Sequence, residues 1–201
     1  MILQYVIIFI AAIVLSMMKV SIWLTYLIIL SVFLLFRITT NPLYFSKNPQ
    51  RMMNFLQKSK QPNLHFMYLL YSEKMKDAEN ILFHIRSENK RSFCELMLYT
   101  KQKKISEAKR VLEVIINPVD KYYHALLALH ANDSSTYETF KSRVKNSTYR
   151  IWLEAEEARC NGDIQKAIRM IDEQMPKLRG LKLLSASEYR KELEQDLALA
   201  Q

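Results

Sequence analysis

The chain has 201 residues, 29 basic and 20 acidic, for a net charge of +9, which suits one modest domain with something added. With only two glycines, Gly162 and Gly180, it holds no glycine-rich loop able to cradle phosphate, and no catalytic signature with nucleophile or metal-ligand spacing occurs. The two cysteines, Cys94 and Cys160, lie far apart in helix-forming surroundings and read as small packed apolar groups, not as a disulfide or metal pair.

The chain opens on an apolar run. From Ile2 to Phe36 the only charged side chain is Lys19. One straight helix of that length would reach roughly 50 Å, against a hydrocarbon core of about 30 Å. Split at Lys19, the run gives ILQYVIIFIAAIVLSMM and VSIWLTYLIILSVFLLF, equal in length and each at the short end of what crosses a bilayer. The expectation is a transmembrane helical hairpin over 1–38, with one spanning helix and one interfacial segment as the alternative. Arg37, Lys47, Arg51, Lys58 and Lys60 follow, and no acidic residue precedes Glu73. By the positive-inside rule, that places both termini of a multi-pass cell-membrane protein in the cytoplasm. Residues 39–60 read as a linker, with Pro42 and Pro49, and a first juxtamembrane helix in KNPQRMMNFLQKSK.

The remainder is rich in Leu, Lys, Glu, Ala and Met and lacks β-branched alternation, so the fold class expected is all-α. A phrase recurs within it. MKDAENIL (75–82), ISEAKRVL (105–112) and IQKAIRMI (164–171) each set apolar residues three before and three and four after an alanine, on one helix face. The interval from Ala108 to Ala167 is close to twice that from Ala78 to Ala108. A degraded copy therefore belongs near Tyr137, in NDSSTYETFKSRV. Each of these helices follows another: NLHFMYLLYSE, RSFCELMLYTK, DKYYHALLALHA and TYRIWLEAEEARC. The prediction is about four helix–turn–helix units over 61–180, with the alanines as close packing contacts and Gly162 at an inter-helix turn. In SASEYRKELEQDLALA, Ser185 and Glu188 form a capping box opening a helix that closes the stack, assigned to 181–201.

The turn NGD (161–163), Ala167 and Pro176, with Trp152 and Ala155 in the preceding helix, resemble the tetratricopeptide repeat family, in a divergent form. The period here is shorter than that family's, and Phe66 and Leu96 stand where the family places a small residue. The resemblance implies a curved α-solenoid whose concave face binds a protein or peptide.

Side chains of chemical interest read as structural. His65, His84, His124 and His130 show no ligand spacing. Glu154, Glu156 and Glu157 read as a solvated or partner-facing acidic patch. The aromatic residues Phe66, Tyr68, Tyr71, Phe83, Phe93, Tyr99, Tyr122 and Tyr123 read as inter-helix packing, and no nucleic-acid motif accompanies them. Residues 37–110 carry 15 basic and 6 acidic side chains, and 111–201 carry 13 and 14. The basic half lies beside the apolar run, so Lys101, Lys103, Lys104, Lys109 and Arg110 are candidate contacts for a membrane surface or an acidic partner. The expected function is a membrane-tethered scaffold that binds a protein partner, without catalysis, cofactor or metal. The alternatives are a regulatory or sensor subunit, or anionic-lipid or nucleic-acid binding through the basic half.

Overall fold

A computed structural model describes residues 21–115 and 119–200. The chain divides into two compact units, Met1–Ser46 and Lys47–Gln201.

The described part of the first unit holds α1 (Ile22–Thr40) and the short α2 (Pro42–Phe45). Asn41 caps α2, its side chain accepting the Leu43 N–H at 3.0 Å, and Pro42 takes the first-turn position where its missing N–H costs nothing. The first expected membrane segment and the turn at Lys19 lie outside the described residues. Among the described residues no helix is long and apolar enough to cross a membrane. Helix α1 begins at Ile22, and its uncharged run stops at Phe36, before Arg37. That run rises only about 22 Å, short of a hydrocarbon core of about 30 Å. This overturns the transmembrane hairpin over 1–38, and with it the multi-pass membrane localisation.

The second unit is built of helices joined by short turns. Helix α3 (Pro49–Gln57) leads into four pairs: α4 (Pro62–Tyr71) with α5 (Met75–Leu82), α6 (Glu88–Lys101) with α7 (Ile105–Leu112), α8 (Asp120–His130) with α9 (Ser134–Arg143), and α10 (Ser147–Cys160) with α11 (Ile164–Gln174). A turn of 3₁₀ helix, Met175–Lys177, connects to α12 (Gly180–Leu199). Local chemistry sets many of the starts: the side chains of Asn48, Asp133, Asn146 and Asp163 each accept a backbone N–H two or three residues on, at 3.0 Å.

The turn inside each pair repeats to the atom. Glu73, Lys103 and Asn132 have φ of 57°, and Gly162 has 84°. The next residue's N–H returns to the carbonyl five back: Lys74 to Leu69, Lys104 to Tyr99, Asp133 to Ala128 and Asp163 to Ala158, all at 2.9 Å. This is the Schellman closure, which needs a left-handed residue just past the helix end. Five residues beyond each turn residue stand Ala78, Ala108, Tyr137 and Ala167; the three alanines are 0% exposed and Tyr137 is 3%. The alanines let paired helices approach closely. In the third pair Tyr137 fills the position, and its hydroxyl donates to Glu157 at 2.8 Å on the next pair's first helix.

Apolar residues shared between neighbouring pairs hold the stack together. One cluster joins Leu96, Ala108, Val111 and Leu112 to Leu127 of the next pair. Another joins Ala125, Leu126, Ala128, Tyr137 and Val144 to Leu153. Each fully buried leucine contributes about 1.5–3 kcal/mol, so the shared clusters tie each pair's stability to that of its neighbour.

The C-terminal helix differs from its expected limits. It begins at Gly180, after Arg179, not at a Ser185 cap. Leu183 and Leu184 are buried, and this packing extends the helix a turn upstream of the capping-box residues. Ser185 instead lies within the helix, its hydroxyl 2.7 Å from that of Tyr71. Helix α12 packs on α11 and also on α3, the first helix of the unit.

Candidate inner cavity

The first helices of the four pairs, together with α12, line a half-open cavity of about 370 Å³. Its walls follow the repeat. Six positions before each turn residue stand Met67, Met97, Leu126 and Glu156, and all four line it. Ten positions before stand Phe93, Tyr122 and Trp152 in the last three pairs, also on the wall. Tyr71, Tyr123 and Tyr149 add further rings, and α12 contributes Leu181, Lys182, Ser185, Glu188, Tyr189 and Glu192. The rings meet largely edge to face: Phe93 with Tyr123 at 5.9 Å, Tyr122 with Tyr123 at 5.3 Å, Tyr149 with Trp152 at 5.5 Å. Such geometry is favourable for aromatic quadrupoles.

Three of the four equivalent positions are apolar, and Glu156 is the exception. It is 8% exposed. His130 Nε2 lies 2.8 Å from its Oε1, the Tyr189 hydroxyl donates to Oε2, and Arg159 Nη1 is 3.5 Å away. Burial by itself would raise this carboxyl; the hydrogen bonds from His130 and Tyr189 and the Arg159 charge outweigh it and hold it at about 2. Glu156 is therefore an anion at neutral pH, shared between the third and fourth pairs and α12. For Glu156 this corrects the reading of a solvated or partner-facing acidic patch, since its carboxylate is buried and paired within the stack. Glu157 too is engaged, accepting from Tyr137 and from Lys141 Nζ at 2.8 Å each.

The remaining carboxylates on the wall, and Arg159, are also paired. Lys101 donates to Glu192. Arg159 Nε donates to Asp196 at 2.7 Å, and Lys191 to Glu188 at 2.8 Å. Lys103 and Lys182 also line the cavity and are exposed, and among the described residues neither has a carboxylate partner. Lys182 lies over the Tyr149 ring, 5.6 Å from its centroid. Burial raises Tyr71 to about 12 and pushes Tyr122, Tyr123, Tyr149 and Tyr189 upward as well. All five hydroxyls are protonated at neutral pH.

The basic residues singled out in the sequence do not share one environment. Lys101 and Lys103 belong to the cavity wall. Lys104 stands 5.9 Å from the centroid of the Tyr99 ring, and Lys109 and Arg110 are exposed in the last turn of α7. Gly162, as expected, is at an inter-helix turn. Tyr71, Phe93, Tyr122 and Tyr123, expected as inter-helix packing, line the cavity, and Phe83 is 84% exposed. Cys94 is buried as expected, whereas Cys160 is exposed; both are free thiols.

His130, Glu156 and Cys160 bring ligand-type atoms within 4.8 Å of one another, a cluster that no sequence spacing announced. Glu156 already accepts from His130 and Tyr189, and the Arg159 guanidinium beside it supplies the positive charge a metal ion would bring. The donor set fits an ion pair better than a cation site. Comparison of the chain with protein families, with curated proteins and with solved structures returns no match.

Proposed function

We propose that this chain is a non-catalytic helical-repeat protein that holds a protein partner on the inner face of its stack. The observation that carries this reading is the cavity, to which every one of the four pairs contributes its first helix in the same register. Stacked pairs present such a face as one continuous surface, and variation at equivalent positions writes specificity onto a constant scaffold. The resemblance to tetratricopeptide repeats supports the same reading. The test places a photoreactive phenylalanine analogue at Lys103 or Lys182, beside the cavity, and at Glu79 or Lys166 on the second helices as controls. A discrete protein adduct in cells at the first two positions and not at the controls supports the proposal. No adduct, or equal adducts at all four, overturns it.

A second reading, a sensor whose partner binding responds to a small molecule, is favoured by the size and lining of the cavity. At about 370 Å³ it falls in the range of sites that enclose small ligands, which are mostly apolar with a few convergent polar groups.

A further inference from the structure

We infer that the inner cavity binds an amphipathic aromatic anion, a flat apolar ring system carrying a carboxylate- or sulfonate-type head. The inference rests on the second reading, that the cavity receives a small molecule, and requires no protein partner.

The body of the ligand follows from the walls. Phe93, Tyr122, Tyr123, Tyr149 and Trp152 come from three successive pairs, and Met67, Met97 and Leu126 fill the space between them. A planar apolar guest offers such walls ring faces and edges to stack against, in addition to the area it removes from water. The tyrosine hydroxyls stay protonated through the neutral range because burial raises them, so they are hydrogen-bond donors there. A donor-rich wall favours a guest that brings acceptors.

The head follows from the charge pairing. Each carboxylate on the wall already has a cation: Glu156 has Arg159, Glu188 has Lys191, and Glu192 has Lys101. The two cations left over are the exposed Lys103 and Lys182, which have no carboxylate partner among the described residues and both line the cavity, Lys182 beside Tyr149 and Lys103 toward Cys160. A cationic guest would meet these ammonium groups and find every acid taken. An anionic guest completes the pairing at the solvent-facing side while its rings occupy the apolar interior, so no unpaired charge is buried.

The test titrates the purified full-length chain with 8-anilinonaphthalene-1-sulfonate and, separately, with uncharged N-phenyl-1-naphthylamine, following dye fluorescence. The expected result is one dye per chain, with the sulfonate bound more tightly and its affinity falling as salt rises. Replacing both lysines, Lys103→Glu with Lys182→Glu, weakens the sulfonate by about tenfold and leaves the uncharged dye unchanged, as two lost near-surface attractions require. Met97→Trp fills the cavity and abolishes both; Leu181→Trp, at a partly exposed wall position, repeats that test if the first variant does not fold. An unaltered helical thermal transition certifies each variant. Dye binding that survives the filled cavity overturns the site, and sulfonate binding indifferent to the lysines overturns the anionic head. Either result leaves the protein-partner reading to its own crosslinking test.

Discussion

Substituting the four left-handed turn residues measures how far the inter-helix turns govern this fold. At Gly162, φ is +84°, and a Cβ built there meets no heavy atom within 4 Å. Steric crowding therefore contributes nothing to Gly162→Ala, and the cost is conformational alone. Holding an L-residue in the left-handed region costs about 1–2 kcal/mol, while the narrower unfolded ensemble of alanine returns about 0.4–1 kcal/mol, so a net loss of about 1 kcal/mol is expected. In a unit of this size that lowers the melting temperature by roughly 2–4 °C. The reverse substitutions should gain. Glu73 and Lys103 sit at φ of 57°, so Glu73→Gly and Lys103→Gly should each stabilise by about 0.5–1 kcal/mol. Asn132→Gly should gain less, because asparagine tolerates that region. The assay is urea unfolding at neutral pH followed by helical circular dichroism, at constant denaturant slope. If Gly162→Ala is neutral and Glu73→Gly destabilises, the turn geometry is not a controlling feature and the reasoning fails.

Further outcomes follow from the packing. Glu156 has a folded-state pKa of about 2 against an ordinary 4.5. Its depressed pKa adds stability that is complete above the unfolded value and is lost as pH falls from about 5 toward 2. The size is about 3 kcal/mol, and acid titration of unfolding should show a correspondingly shallower slope in Glu156→Gln. Tyr137→Phe removes the hydroxyl bonded to Glu157 and should cost about 1 kcal/mol, whereas Tyr137→Ala, although it restores the residue of the other pairs, should cost about 3–5 kcal/mol through the void it opens; chemical denaturation of both variants decides. A fragment of residues 47–201, matching the second compact unit, should keep the helical thermal transition of the full chain, and a non-cooperative melt would show that the division is wrong.

Much of the helical architecture was readable because the phrase around Ala78, Ala108 and Ala167 is a local pattern with a local cause. Each alanine is fully buried, and the same helix face recurs at the same offset from its turn. The cavity was not readable from pairs of residues close in sequence, since His130, Glu156 and Tyr189 belong to three different helices. The repeat register, carried one step further, points to it. Aligning positions six before the turn gives Met67, Met97, Leu126 and then Glu156, a charge in an apolar column. Aligning two before gives Tyr71, Lys101, His130 and Cys160, residues of interest in every copy. The start of α1 escaped for a different reason. No charge or helix-breaking residue lies between Val20 and Ile22, only Ser21, so composition alone could not say where the helix begins.

The contacts of α12 with α3 carry a consequence for how this unit comes apart. A stack of repeats with bare ends loses structure by fraying, one hairpin at a time, because each neighbour holds only the next. Here Ser185 meets Tyr71, 114 positions away, and Glu192 meets Lys101, 91 positions away. Long-range ties of this kind make the terminal hairpins share the fate of the middle ones. Native-state hydrogen exchange should therefore show α4 and α10 opening together, with protection set by one cooperative event in place of a gradient along the chain.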